Sequence, residues 1–409
     1  MNLAEYLEHD EDFVLQSQND DILPCNIASL GALSEMCHAS AKALHYKESE
    51  FKNAPSSCLE TLIVLNNKLN LPEAALGILK YAEQHCMEAL KENNSWYEKL
   101  GRWEDALESY EYKQMAGPLK IELTMGRLRC LSILGESSRV NKLATDAWQK
   151  LVGAGNKEAV ALVAAQAALA LDNWELMETF MPMLGETQHE ETFLHAVLDI
   201  HNNKFDDAMK CITKSRIQYY NTIPSLVAEG YSRAYNELIE IQMLNDLEEI
   251  INFKRHYPVM NKKALKKRDH LLRIWKERLE GTVKDISIWD KMLAIRKLMI
   301  NPNEDVEIWL EFASLARKRS RPALVVRTLS LLGIRFKENE DYGKNIVEEI
   351  NAPFEVRYTY HKFLYDQGMV DVAIQRLTQL TNETCAGGQF ENIQPALKVC
   401  IPSYSLDVY

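Results

Sequence analysis

One short segment recurs along this chain at nearly constant spacing. Leu69-Asn70-Leu71-Pro72-Glu73-Ala74, Gly101-Arg102-Trp103-Glu104-Asp105-Ala106, Gly135-Glu136-Ser137-Ser138-Arg139-Val140, Asp172-Asn173-Trp174-Glu175-Leu176-Met177 and Asn203-Lys204-Phe205-Asp206-Asp207-Ala208 align position for position. Their last residues lie 32, 34, 37 and 31 residues apart. Each begins with a polar or glycine-containing helix stop, and most carry an acid where the next helix would start and its dipole favours negative charge. An aromatic or apolar third residue is expected to plug the gap between two helices, as Trp103, Trp174 and Phe205 would. One such pair cannot bury its own apolar face, so the pattern predicts several pairs stacked side by side.

That spacing is the period of a tetratricopeptide-like antiparallel helix-pair solenoid, curved and elongated. The expected fold class is therefore all-α. Glycine and proline together number 28 of 409 residues, about 7% against roughly 12% in ordinary chains, and no alternating Val/Ile/Thr segment of strand type stands out. Ile121, Met125, Leu128, Leu131 and Leu134 form an i, i+3/i+4 stripe. Ala161, Ala164, Ala165 and Ala168 sit where small side chains let helices approach closely.

The predicted organisation has four parts. Residues 1–50 are leading helices after an acidic stretch from His9 to Asp21, and 51–218 hold the regular repeats. Residues 219–380 hold less regular pairs, with Asn245-Asp246-Leu247-Glu248-Glu249-Ile250 as a stretched echo of the turn. In that third part a basic connector spans 254–278, its first half a loop at Pro258 and its second half entering a helix. Helices are expected over Trp289–Met299, Val306–Arg317 and Ala323–Leu332, with a later one around Pro353–Leu380. Asn301 to Asp305 forms a helix stop and restart, and the charged segment Phe336–Ile350 is a mobile loop. Residues 381–409 form a divergent, poorly packed tail.

The net charge is −12, which disfavours nucleic acid and anionic lipid as general partners. Cys25, Cys37, Cys58, Cys86, Cys130, Cys211, Cys385 and Cys400 include no C-x-x-C pair, the pattern of a reducing compartment without a metal site. The most apolar run, Ala159–Leu171, is too short for the roughly 20 residues that cross a bilayer, and the N-terminus has no export signal.

No phosphate loop, kinase triplet or nucleophile elbow is present. His189-Glu190-Glu191-Thr192-Phe193 starts like a zinc-protease motif but has Phe193 where the second ligand belongs. His195 and His201 are six apart on a helix and face opposite sides. Trp103, Trp174 and Phe205, with Trp275, Trp289 and Trp309, read as packing residues; at the usual cost of truncating a core aromatic, Trp103→Ala is expected to lose roughly 3 to 5 kcal/mol. The basic stretch has two readings, a solvated connector or a site for a compact polyanion such as an inositol polyphosphate. The candidate residues are Lys262, Lys263, Lys266, Lys267 and Arg268, joined by Arg317, Lys318 and Arg319 if the fold brings them close.

Leu271-Leu272-Arg273-Ile274-Trp275-Lys276-Glu277-Arg278-Leu279-Glu280-Gly281, followed by Trp289-Asp290-Lys291-Met292-Leu293-Ala294-Ile295-Arg296 and Trp309-Leu310-Glu311-Phe312-Ala313-Ser314-Leu315-Ala316-Arg317-Lys318, resembles the FAT domain of the target of rapamycin (TOR) protein kinases. Asn2 to His9, Ala41 to Glu48, Trp96 to Leu107 and Ala228 to Tyr235 resemble the same family in the same order, and the pattern fades after Leu380. The resemblance implies a helical solenoid that clamps a serine/threonine kinase domain lying further along a longer chain. A HEAT-repeat solenoid would precede it, and a rapamycin-binding bundle, kinase lobes and a C-terminal FAT segment would follow. ATP and magnesium would belong to the kinase domain, so no catalytic, cofactor or metal residue is expected here and this piece is not an enzyme on its own. The implied partners are the kinase domain of the same chain and the subunits of a TOR complex, and the implied location is cytoplasmic, peripheral to vacuole or lysosome membranes. The rival reading is a free-standing tetratricopeptide-type adaptor, which would show repeated Asn, Lys and Arg clamps in its groove; none repeats. A third, an enzyme in its own right, would show phosphotransfer by this chain alone.

Overall fold

In a computed structural model, the structure describes residues 26–37, 39–69, 71–86, 95–115, 120–150, 154–185, 188–259, 261–336, 346–348 and 352–386. These residues form nineteen α-helices, two short 3-10 turns and one two-stranded ribbon. The chain divides into two compact units, residues 1–131 and 132–409.

In the first unit, α1 (Ile27–Met36), α2 (Ser40–Asn53), α3 (Pro55–Lys68) and α4 (Pro72–His85) pack consecutively, followed by α5 (Ser95–Lys99), α6 (Trp103–Met115) and most of α7 (Ile121–Leu134). Proline opens α3 and α4, where its missing N–H has no helical partner to lose and its φ is already helical. Leu59, Ile63, Leu79, Ala82 and Trp96 form a buried core here. Gly126 of α7 passes under the Tyr110 ring, and a Cβ there would come within 2.5 Å of it.

The second unit holds α8 (Ser137–Trp148), α9 (Ala154–Ala170), α10 (Trp174–Phe180), α11 (His189–His201), α12 (Phe205–Glu229), α13 (Tyr231–His256), α14 (Lys262–Glu280), α15 (Ile286–Arg296), α16 (Val306–Lys318), α17 (Pro322–Leu331), α18 (Phe354–Asp366) and α19 (Val370–Ala386). Neighbours pack in sequence, but this unit also folds back on itself. α9 packs against α15, with Ala161, Ala164, Ala165 and Ala168 fully buried. Lys297 binds both carboxylate oxygens of Asp172 at 2.7 and 2.8 Å. A side chain at Gly135, whose φ is +81°, would overlap Leu324. A solenoid built from nearest-neighbour contacts alone lacks such pairs, which span 125 residues or more.

The recurrent turn is a helix stop in which a left-handed residue lets the next N–H reach back to the carbonyl five residues earlier. Gly101, Asp172 and Asn203 all have positive φ. The bonds that follow run from Arg102 N to Tyr97 O, Asn173 N to Ala168 O and Lys204 N to Asp199 O, at 2.8 to 3.0 Å. The same device appears at three places outside the aligned set: Ser320 with Arg321 N on Ala316 O, Gly333 with Ile334 N on Leu329 O, and Gly368 with Met369 N on Leu364 O. The residue five places after six of these left-handed positions is buried: Ala106, Val140, Met177, Ala208, Val325 and Ala373.

Several expectations are corrected. In the first turn Leu71 N reaches Asn66 O and Ala75, not the exposed Ala74, is buried, so that segment aligns one residue later than its sequence suggests. The echo at Asn245–Ile250 is not a turn: it lies inside α13, which has no left-handed residue to stop it. Lys254 and Arg255 belong to the last turn of α13, so the first half of the basic stretch is helix up to His256 and only Tyr257–Asn261 connects. Arg335–Phe336 pairs antiparallel with Ile346–Glu348, so the expected mobile loop contains a ribbon. Gly368, at φ +78°, splits the expected Pro353–Leu380 helix into α18 and α19. The His9–Asp21 stretch and most of the 381–409 tail lie outside the described residues.

Candidate functional site

The basic stretch becomes α14. Asn261 caps it, its side chain accepting from Ala264 N at 2.8 Å. No acid occupies the first turn, and Lys262 and Lys263 stand at the positive end of the helix dipole, an arrangement that weakens the helix unless an anion is nearby. Lys262, Lys263, Lys266 and Lys267 are exposed. Arg268 is partly buried and donates to both carboxylate oxygens of Glu304 at 3.1 and 3.3 Å.

The second basic group lies elsewhere. Ion pairs run in register along α14 and beyond, Arg268 to Glu304, Lys276 to Glu307 and Lys284 to Glu311. Residues later in α16 thus lie past the C-terminal end of α14. Arg319 is near Asp285, whose carboxyl is pushed up by burial but held below its ordinary range by hydrogen bonds from Ser287 and Ile288 and by that guanidinium. Arg317 binds Asp366 at 2.5 Å, and Lys318 and Arg319 are exposed. The two groups therefore sit near opposite ends of a 19-residue helix, roughly 27 Å apart along its axis. The structure does not bring them together.

The other half of α14 enters a buried ion network. Asp246 of α13 is 1% exposed and accepts from Arg278 at 2.8 Å and Gln242 at 2.9 Å. Glu249 takes both arms of Arg278, at 2.9 and 2.8 Å, and the Trp275 indole N–H at 2.7 Å. Arg296 of α15 is 4% exposed and lies over the Trp275 ring at 5.4 Å. Its nearest acid is Asp246 at 3.6 Å, an ion pair without a hydrogen bond, and none of its guanidinium nitrogens has a hydrogen-bond partner among the described residues. Burial pushes the Asp246 carboxyl up despite both arginines, and pushes Arg296 down. Glu249 goes the other way: burial raises it, but the bonds from Arg278 and Trp275 prevail and hold it low. Three helices are tied at one point by charges that have little water to fall back on.

The six packing aromatics divide by position. Trp275, Trp289 and Trp309 are 1%, 1% and 5% exposed. Trp103, Trp174 and Phe205 are half-buried at helix starts. Trp174 stacks on His201 with centroids 3.9 Å apart, and Phe205 lies under the Arg255 guanidinium at 5.8 Å. Glu191 of the His189–Phe193 stretch forms a capping box with Gln188 at the start of α11. Asp246 and Arg296 are absent from the sequence candidates. The available signal was an acid set among Met243, Leu244, Leu247 and Ile250, since an ion on an apolar helix face needs a partner.

The FAT domain family model matches residues 161–402, more than half of the chain and past Leu380. The chain is similar to the serine/threonine-protein kinase TOR2 of Saccharomyces cerevisiae, 38% identical over 93% of this chain and 15% of that protein. Serine/threonine-protein kinase TOR of Arabidopsis thaliana is 38% identical over 80% of this chain and 14% of its own length. Serine/threonine-protein kinase tor1 of Schizosaccharomyces pombe is 33% identical over 93% and 16%. The chain thus spans about 15% of the length of these relatives.

Proposed function

Because this chain belongs to the FAT-domain family, we propose that it is the non-catalytic helical region of a TOR-type serine/threonine kinase, supporting and restraining a kinase domain elsewhere in the full-length protein. The observation that carries this reading is the identity of 38% maintained along 93% of the chain, well beyond a shared repeat period. In the same reading the region helps assemble a TOR complex in nutrient and growth signalling, in the cytoplasm and at vacuole or lysosome surfaces. Its action is mechanical. Helix pairs locked by buried aromatics and ion pairs form a stiff support, and loosening them relaxes the restraint on the kinase without touching its chemistry. The exposed lysines at the start of α14 are the part of the basic stretch suited to an inositol polyphosphate, whose charge would complement both the side chains and the helix dipole.

The test replaces the matching segment of the S. cerevisiae relative with this chain and measures phosphotransfer with and without Trp275→Ala or Trp309→Ala. The expected result is an active chimera whose output rises when either tryptophan is removed. Unchanged activity in both variants counts against the support role, and phosphotransfer by this chain alone counts against the non-catalytic assignment.

A further inference from the structure

Within the second unit, α9, α11, α13 and α15 enclose two adjoining cavities. One of about 160 Å³ lies between Gln166, Glu190, Phe193 and Ala294. The other, about 500 Å³ and more open, lies between Tyr235, Met243, Val283 and Ile288. They share Glu240, Ser287 and Lys291. The smaller is well below the roughly 300–1,000 Å³ of a site for a whole small molecule, but has room for one side chain.

The lining is apolar below and acidic above. Leu194, Ile239, Met243 and Ala294 are buried and supply the floor. Glu190, Glu240, Asp285 and Asp290 line the two cavities, and Lys291 is the one cation among the lining residues. Two of the acids are engaged locally. Asp290 is bound by Arg327, and Asp285 caps α15 through the N–H groups of Ser287 and Ile288. Glu240 receives Lys291 at 3.1 Å, whereas Glu190 accepts a long 3.4 Å bond from Gln166. Glu237, one turn before Glu240, has a buried carboxylate oxygen without a hydrogen-bond partner among the described residues. Glu240, Glu190 and Glu237 all lie close enough to Tyr219 to add to the effect of burial in raising its hydroxyl pKa. Glu190 of α11 and Glu240 of α13 thus line the smaller cavity together with Lys291, which is bonded to Glu240.

We propose that this cleft is a docking site for a partner-protein segment that carries a basic side chain, arginine above all, between apolar residues. The carboxylates of the lining disfavour an anionic occupant, and the apolar floor favours a segment over a bare cation. Arginine fits better than lysine because its planar fork can make two parallel bonds to the Glu190 carboxylate. The smaller cavity takes the guanidinium and the larger takes the apolar residues beside it. This inference is independent of the kinase assignment.

The test uses the full chain and a fluorescein-labelled peptide with one arginine flanked by leucines, followed by anisotropy. Replacing the peptide's arginine by glutamine, or changing Glu190→Gln in the protein, is expected to weaken binding about tenfold, the usual scale for a charge-assisted contact. Replacing the leucines by serine is expected to weaken it as well. Glu240→Gln also frees Lys291, so Glu190→Gln, with an unchanged melting temperature, is the deciding variant. Equal affinity for the glutamine peptide, indifference to Glu190→Gln, or spermidine competing as well as the leucine peptide would each overturn the proposal.

Discussion

The first two turns of α14 and its last two are built from similar residues, yet they do opposite things. Lys262, Lys263, Lys266 and Lys267 stand in water, while Trp275 and Arg278, two to three turns on, close over Asp246 and Glu249. What separates them is the neighbour. Along its last turns α14 lies against α13 and α15, whose buried acids and Arg296 need partners, and near Lys262 it has none of these to meet. A run of cations in a sequence is thus not one surface: packing divides it into charges available to a ligand and charges that hold helices together.

The largest effect should come from breaking the buried half. Asp246→Asn leaves Arg296 and Arg278 without their shared acid, and denaturant unfolding of the chain should show a loss of about 3 to 5 kcal/mol. Lys262→Gln with Lys263→Gln should stay within about 0.5 kcal/mol; similar losses for both would erase the distinction. Next, the fully buried Trp275 should cost about 3 to 5 kcal/mol on truncation to alanine. The half-buried Trp103 should cost roughly 1 to 2 kcal/mol, below the loss its sequence position suggests. Equal costs would mean that repeat position, not burial, governs these aromatics.

The exposed half is sharpened by ligand binding. Calorimetry with an inositol polyphosphate should give micromolar, salt-sensitive binding that Lys266→Glu with Lys267→Glu abolishes and Arg319→Glu leaves intact. Loss of binding in the Arg319 variant would mean the two basic groups act as one.

The smallest effect concerns His201, stacked on Trp174. Burial, and then the nearby Lys254 charge, lower its pKa below the ordinary 6.5. The neutral ring is favoured in the fold, so its contribution is present above 6.5 and is lost as pH falls through the lowered value. Melting temperatures should drop slightly between neutral pH and about pH 5, and His201→Gln should reduce that slope. An unchanged slope would assign it to other groups.

Much of the fold was legible because a helix stop has local requirements. A residue that tolerates left-handed backbone, followed two places on by an apolar residue and five places on by one buried between helices, is written in six consecutive positions, and Gly101, Asp172 and Asn203 show it. Gly368-Met369-Val370-Asp371-Val372-Ala373 carries the same signature and was recoverable, but irregular spacing hid it. Asn245 to Ile250 carries a partial copy, and tertiary burial of Asp246 inside α13 overrode it. The candidate site was less legible, since which cation meets which acid depends on helices far apart in the chain.

Local chemistry in the sequence was enough to determine the helical class, most helix ends and the repeat, because each rests on backbone geometry within a few residues. Only the tertiary structure decided that Asp246, Arg278 and Arg296 form one buried network, that Lys297 reaches Asp172, and that the two basic groups lie at opposite ends of α14. Those outcomes depend on the angle and offset at which helices stack. Small changes accumulated over several pairs move a side chain by many ångströms, and nothing within a six-residue window records them.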